Sequence, residues 1–311
     1  MVAEPMDDDW LVWRYEASRP RLRGMAYRML GSMSDADDAV QEAWIHVAGG
    51  NADGVANLDG WFTTIVARVC LDMLRARRSR REALVGAGPA DLDSGPGSPY
   101  TEIAVPEQEA VLADTVGVAL LVVLETLAPA ERVAFVLHET FGVPFAEIAA
   151  ITGRSPAAAR QLASRARRRL RGGTGSGLLD GEAVSTGPPP ARQRVLAEAF
   201  LAASRDGNLA GLLAVLDPDV VLRVDAAGMP SGVPVTIKGA NRVARAARSA
   251  AARSRHSGVA LVNGTPGIVY GPRGRLAVVL AFTYGDGGIT GIDVITDPAR
   301  LDALSLAVPA S

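Results

Sequence analysis

The residues most able to do chemistry lie between Arg154 and Arg171, in the run GRSPAAARQLASRARRRLR. A guanidinium forks onto phosphate oxygens or onto the acceptor edge of guanine, while Gln and Ser bond base edges. Arg154, Ser155, Arg160, Gln161, Ser164, Arg165, Arg167, Arg168 and Arg171 therefore suit nucleic-acid recognition. Bond-making chemistry has fewer parts to draw on. Cys70 is the single cysteine, and His46, His138 and His256 lie far apart in different settings. Neither a metal cluster nor a Ser-His-Asp triad is expected.

Such a set needs a helix to present it. Ser155 is a natural N-cap, Pro156 suits the first helical position, and Gly153 supplies a turn before them. Ala159, Leu162, Ala166 and Leu170 make an inner stripe, with the arginines opposite. Upstream, Phe145, Ile148, Ala149 and Thr152 share one face of a preceding helix. The pair reads as a helix-turn-helix whose second helix enters a DNA major groove.

Upstream of it, Trp10 to Ala17 and Pro20 to Leu30 read as two helices closed by Gly31. Ser34 opens another, with Asp37 completing a capping box. Ala36, Ala39, Val40, Ala43 and Val47 form its buried stripe; Asp38, Gln41, Glu42 and Ile45 gather opposite. Acidic groups around an exposed isoleucine suit a docking face, and periodicity alone reads equally as a plain solvated helix. The loop Gly49 to Asn57 follows, then a long helix capped by Asp59. It carries Trp61, Phe62, Ile65, Val66, Val69 and Leu74, then Arg75, Arg77, Arg78, Arg80 and Arg81. Aromatics beside a loop, followed by arginines, suit stacking of unpaired bases and tracking of phosphates, although without further context Trp61 and Phe62 read first as ordinary core.

At 311 residues the chain has room for two or three domains, and its net charge of −2 hides basic clusters at Arg68 to Arg81 and Arg154 to Arg171. The N-terminus has no signal-peptide pattern and no run reaches membrane-span length, which leads us to expect a cytoplasmic protein. Gly86 to Pro106 and Gly172 to Pro190 read as linkers; Glu107 to Leu127 is a strongly apolar helix. Beyond Arg192 two helices precede strands at Val220 to Val224 and Val233 to Lys238, and a helix from Ala240 to Arg253. An antiparallel meander follows, over Val259 to Asn263, Gly267 to Tyr270, Arg275 to Tyr284 and Ile289 to Thr296. This is an α+β domain.

Two stretches carry a resemblance. RPRLRGMAYRMLGSMSDADDAVQEAWIHV (Arg19 to Val47) and LDGWFTTIVARVCLDMLRARRSRRE (Leu58 to Glu82) resemble region 2 of extracytoplasmic function sigma factors. LETLAPAERVAFVLHETFGVPFAEIAAITGRSPAAARQLASRARRRL (Leu124 to Leu170) resembles region 4. The C-terminal domain looks like a SnoaL-like, nuclear-transport-factor-2-like cone. The fold expected is multidomain: two all-α sigma domains, then an α+β cone. Its boundaries are 8–85 for region 2, 86–106 a linker, 107–172 for region 4, 173–190 a linker and 191–311 for the SnoaL-like domain.

The resemblance implies a sigma factor that binds core RNA polymerase, through the β′ clamp helices and the β flap, and reads a two-part promoter. Asp35, Asp38, Gln41, Glu42 and Ile45 would meet the polymerase. Asn51, Trp61, Arg68, Arg75, Arg77 and Arg78 would serve the −10 side. On the −35 side, Arg160, Gln161, Ser164 and Arg165 are placed for bases and nearby phosphates; Arg167, Arg168 and Arg171 suit phosphate. The chain departs from related members twice. GAGPADL (Gly86 to Leu92) stands where they carry Trp-Leu-Pro-Glu-Pro, and Asp225 to Met229 stands where they carry Asp-Gly-Gly-Gly-Lys. In the family both motifs are associated with communication between the extension and the sigma core, so the resemblance implies interdomain regulation at Asp225 and Gly228. No cofactor or catalysis is expected, though a cone leaves room for a small-molecule ligand, with Asp225, Asp293, Tyr270 and Tyr284 as candidate pocket groups and His256 on the surface. The competing reading is a helix-turn-helix regulator fused to a small-molecule-converting SnoaL-like enzyme.

Overall fold

The computed structural model describes residues 8–50, 52, 55–86, 117–171, 188–229, 231–254 and 256–309. They divide into two compact units, one of residues 1–93 with 127–167, the other of residues 94–126 with 168–311. Asn51, most of both linkers and the front of the expected 107–127 helix lie outside the described residues.

In the first unit, helix α1 (Asp8–Leu30) is continuous through Pro20, where two helices were expected. Proline removes one donor and bends a helix. Tyr15 and Leu22, seven residues apart on one face, are both fully buried and keep the halves in line. Gly31, at φ 76°, ends α1 by donating to the Tyr27 carbonyl at 2.8 Å. That places extended Ser32, not Ser34, at the cap of α2 (Met33–Ala48), where its side chain accepts from the Asp35 N–H. Asp37, expected in the capping box, instead receives a fork from Arg23 at 2.5 and 2.7 Å.

Helix α3 (Leu58–Gly86) is capped by Asn57, which accepts from the Gly60 N–H at 3.0 Å, rather than by Asp59. Asp59 is drawn sideways to α1, accepting from the Ser18 hydroxyl at 2.8 Å and pairing with Arg14 and Arg21. The buried stripe expected of α2 meets Phe62, Val66, Cys70 and Leu71 of α3 in the core of this three-helix group. Tyr15 sits at its centre, edge-on to Phe62 at 5.1 Å, its hydroxyl donating to the Val40 carbonyl at 2.6 Å.

Helix α4 (Val118–Glu125) belongs to the second unit. The first resumes with α5 (Pro129–Phe135), a widened π turn (Val136–Thr140), and the helix-turn-helix pair α6 (Phe145–Thr152) and α7 (Pro156–Leu170). Gly153, at φ 68°, closes α6, and the Ser155 hydroxyl accepts from the Ala158 N–H at 3.2 Å to start α7. The expected α7 stripe is buried, joined by Ala163. Helices α5 and α6 pack on α3, and buried Arg132 donates to the Met29 carbonyl at the end of α1 at 2.9 Å.

The second unit is a seven-stranded sheet with helices. Its elements are α8 (Pro190–Arg205), α9 (Leu209–Val215), β1 (Leu216–Val224), β2 (Val235–Lys238), α10 (Ala240–Ser249), α11 (Ala251–Ser254), β3 (Ser257–Val262), β4 (Thr265–Tyr270), β5 (Val278–Gly285), β6 (Gly288–Ile295), α12 (Pro298–Asp302) and β7 (Leu306–Ala307). The strand order is β2-β1-β6-β5-β4-β3-β7. Strands β3 to β6 are the expected meander, but β1 joins β6 in parallel. Asn263 and Gly264, both at positive φ, make the tight β3–β4 turn. Phe200, Leu212, Val243, Phe282, Ile289 and Ile292 fill the core between helices and sheet.

Helix α4 packs on β3, β4 and the turn that follows. A β-carbon on Gly258 would stand 2.7 Å from the Ala119 nitrogen, and one on Gly271 would collide with the Val122 side chain. Both glycines permit a close approach that any larger residue forbids. In the same unit, Leu170, the last residue of α7, accepts from the Val308 N–H at 2.8 Å.

Candidate nucleic-acid interface

The outward face of α7 exists because its inner face is alanine and leucine. With Ala159, Ala163 and Ala166 wholly buried, Arg160, Gln161, Ser164 and Arg165 are exposed, as are Arg154 and Ser155 at the turn and Arg168 and Arg171 at the far end. The helix rises about 22 Å over its length and is slim enough for a major groove. Arg167 differs from its neighbours, being half-buried and paired with Glu139.

Two side chains outside the DNA-binding candidates lie beside this face. The Phe145 ring is half-buried rather than part of the core, and the Arg160 guanidinium lies 5.4 Å from its centroid. His138 stacks on the same ring at 4.0 Å and bonds the Val143 carbonyl through Nδ1 at 3.2 Å. His138 and Glu139 both come from the π turn, a local widening with no sequence signal of its own.

The face opposite the α2 stripe is as expected: Asp38, Gln41 and Glu42 are exposed, and Ile45 is 67% exposed. Asp35 stands apart from it. It is partly buried and ion-paired with Arg77, whose guanidinium also donates to the Leu30 carbonyl at 3.2 Å. Arg77 thus ties the end of α1 and the start of α2 to α3.

Of the other candidates on α3, Arg68 is exposed and reaches the Ala150 carbonyl at 3.4 Å, while Arg75 pairs with Asp72 at 3.1 Å. Arg78 is exposed. Trp61 is half-buried beside Phe62, which is wholly buried, and packs against the Gly50 backbone. Cys70, also on α3, is fully buried, and that burial pushes its thiol up to about 12, far from a reactive thiolate.

In the second unit Asp225 and Gly228 form one motif. The Asp225 carboxylate caps a 3₁₀ turn by accepting from the Gly228 N–H at 3.1 Å. It also accepts from the Thr296 and Asp297 N–H groups at 2.8 and 3.0 Å, from the Thr296 hydroxyl, and pairs with Arg300. Burial alone would raise its pKa, but these donors together hold it below the usual carboxylate range. Tyr270 and Tyr284 are buried, and the Tyr284 hydroxyl donates to the Pro266 carbonyl at 2.7 Å. Asp293 pairs with Arg223 on the surface. His256, expected at the surface, is half-buried instead.

Among the described residues no group of three or more His, Cys, Asp or Glu side chains is arranged to hold a metal, and no helix is long and apolar enough to cross a membrane.

Comparison with known proteins follows the same division. The Sigma-70 region 2 family matches residues 14–80, and the Sigma-70 region 4 family matches residues 117–170. A Mycobacterium tuberculosis protein described as a probable ECF RNA polymerase sigma factor, SigI, is 35% identical over 297 residues, covering 94% of both chains. The ECF RNA polymerase sigma factor SigJ of the same organism is 35% identical over 302 residues, covering 93% of this chain and 92% of its own. The crystal structure of Mycobacterium tuberculosis SigJ aligns with 93% of this chain and 98% of its own at 32% identity, with a TM-score of 0.41. With two region matches in order and relatives that span nearly the whole chain, the protein belongs to the extracytoplasmic function sigma factors of the sigma-70 family.

Proposed function

We propose a division of labour for this sigma factor, whose partners are core RNA polymerase and promoter DNA. Residues 8–85 dock on polymerase and take the −10 element, residues 107–172 carry the −35 reader, and residues 191–311 regulate in cis. On this reading Asp38, Gln41, Glu42 and Ile45 meet the β′ clamp helices, and the region 4 helices sit at the β flap. Arg68, Arg75 and Arg78 hold the −10 backbone beside Trp61. Arg160, Gln161, Ser164 and Arg165 face −35 base edges, and Arg168 and Arg171 bind phosphate.

The observation that carries the promoter reading is the α7 surface, a row of exposed donors on a helix whose other side is buried. Purified protein added to core polymerase should direct initiation from a promoter with matching −35 and −10 elements. Failure to bind core, where another sigma factor binds, would return the chain to the class of simple regulators.

Regulation in cis is supported by α4. It falls within the Sigma-70 region 4 match, which begins at residue 117, yet it packs on the sheet of the C-terminal domain. A domain that holds part of region 4 is placed to govern its availability. Deleting residues 191–311 should change promoter-specific output; unchanged output would remove this claim.

We read the C-terminal domain as contact-making rather than catalytic. Of the candidate pocket groups, Asp225 and Tyr284 are engaged in structural bonds, and Asp293 pairs with Arg223 at the surface.

A further inference from the structure

We infer that Phe145 is a positioning residue for −35 recognition, a platform that sets the orientation of Arg160; this rests on the reading that Arg160 contacts a −35 base. An arginine on an exposed helix face samples many rotamers, and a bidentate contact with a base edge needs one of them. The partner chosen to restrain it matters. A carboxylate would occupy the guanidinium fork, as Glu139 does with Arg167. A ring attracts the cation through its face and leaves all five N–H donors available for DNA. Arg160 lies 5.4 Å from the Phe145 centroid, and Arg165, its fellow candidate, has no such ring among the described residues.

The platform is itself held. Phe145 is the first residue of α6, directly after Pro144, whose fixed φ of −62° limits the backbone there. Ile148, Ala149 and Thr152, on the same face, are buried, yet Phe145 is only half-buried. Its ring is stacked by His138 at 4.0 Å and 30°, and His138 is fixed by its bond to the Val143 carbonyl. The π turn at Val136–Thr140 delivers His138 to this place. A fixed carbonyl, an imidazole, a phenyl ring and a guanidinium thus form one line of support for a base-reading group.

The test uses full-length protein in holoenzyme and in vitro transcription from promoters carrying every single-base change in the −35 element. Phe145→Leu keeps apolar volume and removes the ring. It should flatten base preference by roughly two- to fivefold at the positions where Arg160→Ala flattens it, and nowhere else. Phe145→Tyr should retain the preference, and the double variant Phe145→Leu with Arg160→Ala should match Arg160→Ala alone. His138→Ala, which leaves Phe145 and the buried Ile148, Ala149 and Thr152 of α6 in place, should give a smaller loss at the same positions and keeps the test available if Phe145→Leu does not fold. An equal loss on all sequences with Phe145→Leu, or preference unchanged in both the Phe145→Leu and His138→Ala variants, would overturn the platform while leaving Arg160 as a reader. Absence of any position-specific effect in Arg160→Ala would overturn both readings.

Discussion

Gly258 on β3 faces Ala119 on α4 so closely that an added β-carbon would stand 2.7 Å from the Ala119 nitrogen. The contact joins a helix matched by Sigma-70 region 4 to the sheet of the C-terminal domain. Gly258→Val should push α4 off the sheet. Overpacking of this kind costs about 1–3 kcal/mol. Limited proteolysis should show earlier cleavage near residues 117–127, with altered output from a −35-dependent promoter. Wild-type proteolysis and output would remove α4 from the regulatory path.

Ile45 should be a polymerase contact that folding does not need. It is 67% exposed on a face with Asp38, Gln41 and Glu42. Ile45→Ala should leave the melting temperature unchanged while weakening core binding by about 1–2 kcal/mol, as a central apolar contact does. Binding to labelled core polymerase measures the second quantity and thermal melting the first.

Arg77 and Arg75 should separate in the opposite sense. Arg77 bonds the Leu30 carbonyl and pairs with Asp35 at the junction of three helices. Arg77→Ala should lower stability by about 1 kcal/mol. Arg75 is in an exposed pair with Asp72 on its own helix, worth about 0–0.5 kcal/mol. Arg75→Ala should therefore leave the melting curve in place and weaken binding of −10 DNA in holoenzyme. Equal melting curves for the two variants would count against this split.

Within α7, base reading and phosphate binding should be distinguishable by salt. Arg160→Ala should cost about 1–3 kcal/mol on the cognate site and relax specificity there. Arg171→Ala should weaken all sequences alike and lower the slope of log K against log salt by about 1. Identical behaviour of the two variants across promoter sequences would contradict the assignment.

Asp225 should make the C-terminal domain acid-sensitive. Its folded pKa lies below the ordinary carboxylate value, so its contribution is complete above about pH 4 and is lost as pH falls through the folded value. Asp225→Asn should destabilise the domain at neutral pH by about 1–3 kcal/mol, since charged hydrogen bonds to Thr296, Asp297 and Gly228 are lost. Wild-type and variant stability should converge in acid. Melting curves from neutral pH down to about pH 3 follow that convergence.

Where neighbours in sequence also set the structure, reading along the chain succeeded. The Gly153 turn, the Ser155 cap and the α7 stripe depend on residues a few positions apart, and each stands as expected. Cap choice was harder. Ser34 and Asp59 are as good in isolation as Ser32 and Asn57, but Gly31 ends α1 one residue before Ser32, and Ser18 draws Asp59 away. Pro20 failed to break α1 because the core on Tyr15 and Leu22 outweighs one lost donor.

The amino-acid sequence by itself determined the helix-turn-helix, the acidic face of α2 and the order of domains. Each depends on helical period, turn chemistry and charge, which act over a few residues. Tertiary structure alone decided which arginines are tied into the fold, since Arg77, Arg132 and Arg167 meet partners 28 to 103 positions away. It also decided the parallel β1–β6 pairing and the seat of α4 on the sheet. Those outcomes come from surfaces that meet only once the chain has folded, and no local pattern announces them. A ring beside Arg160 is of the same kind: Phe145 reads as core until His138 and Arg160 close on it.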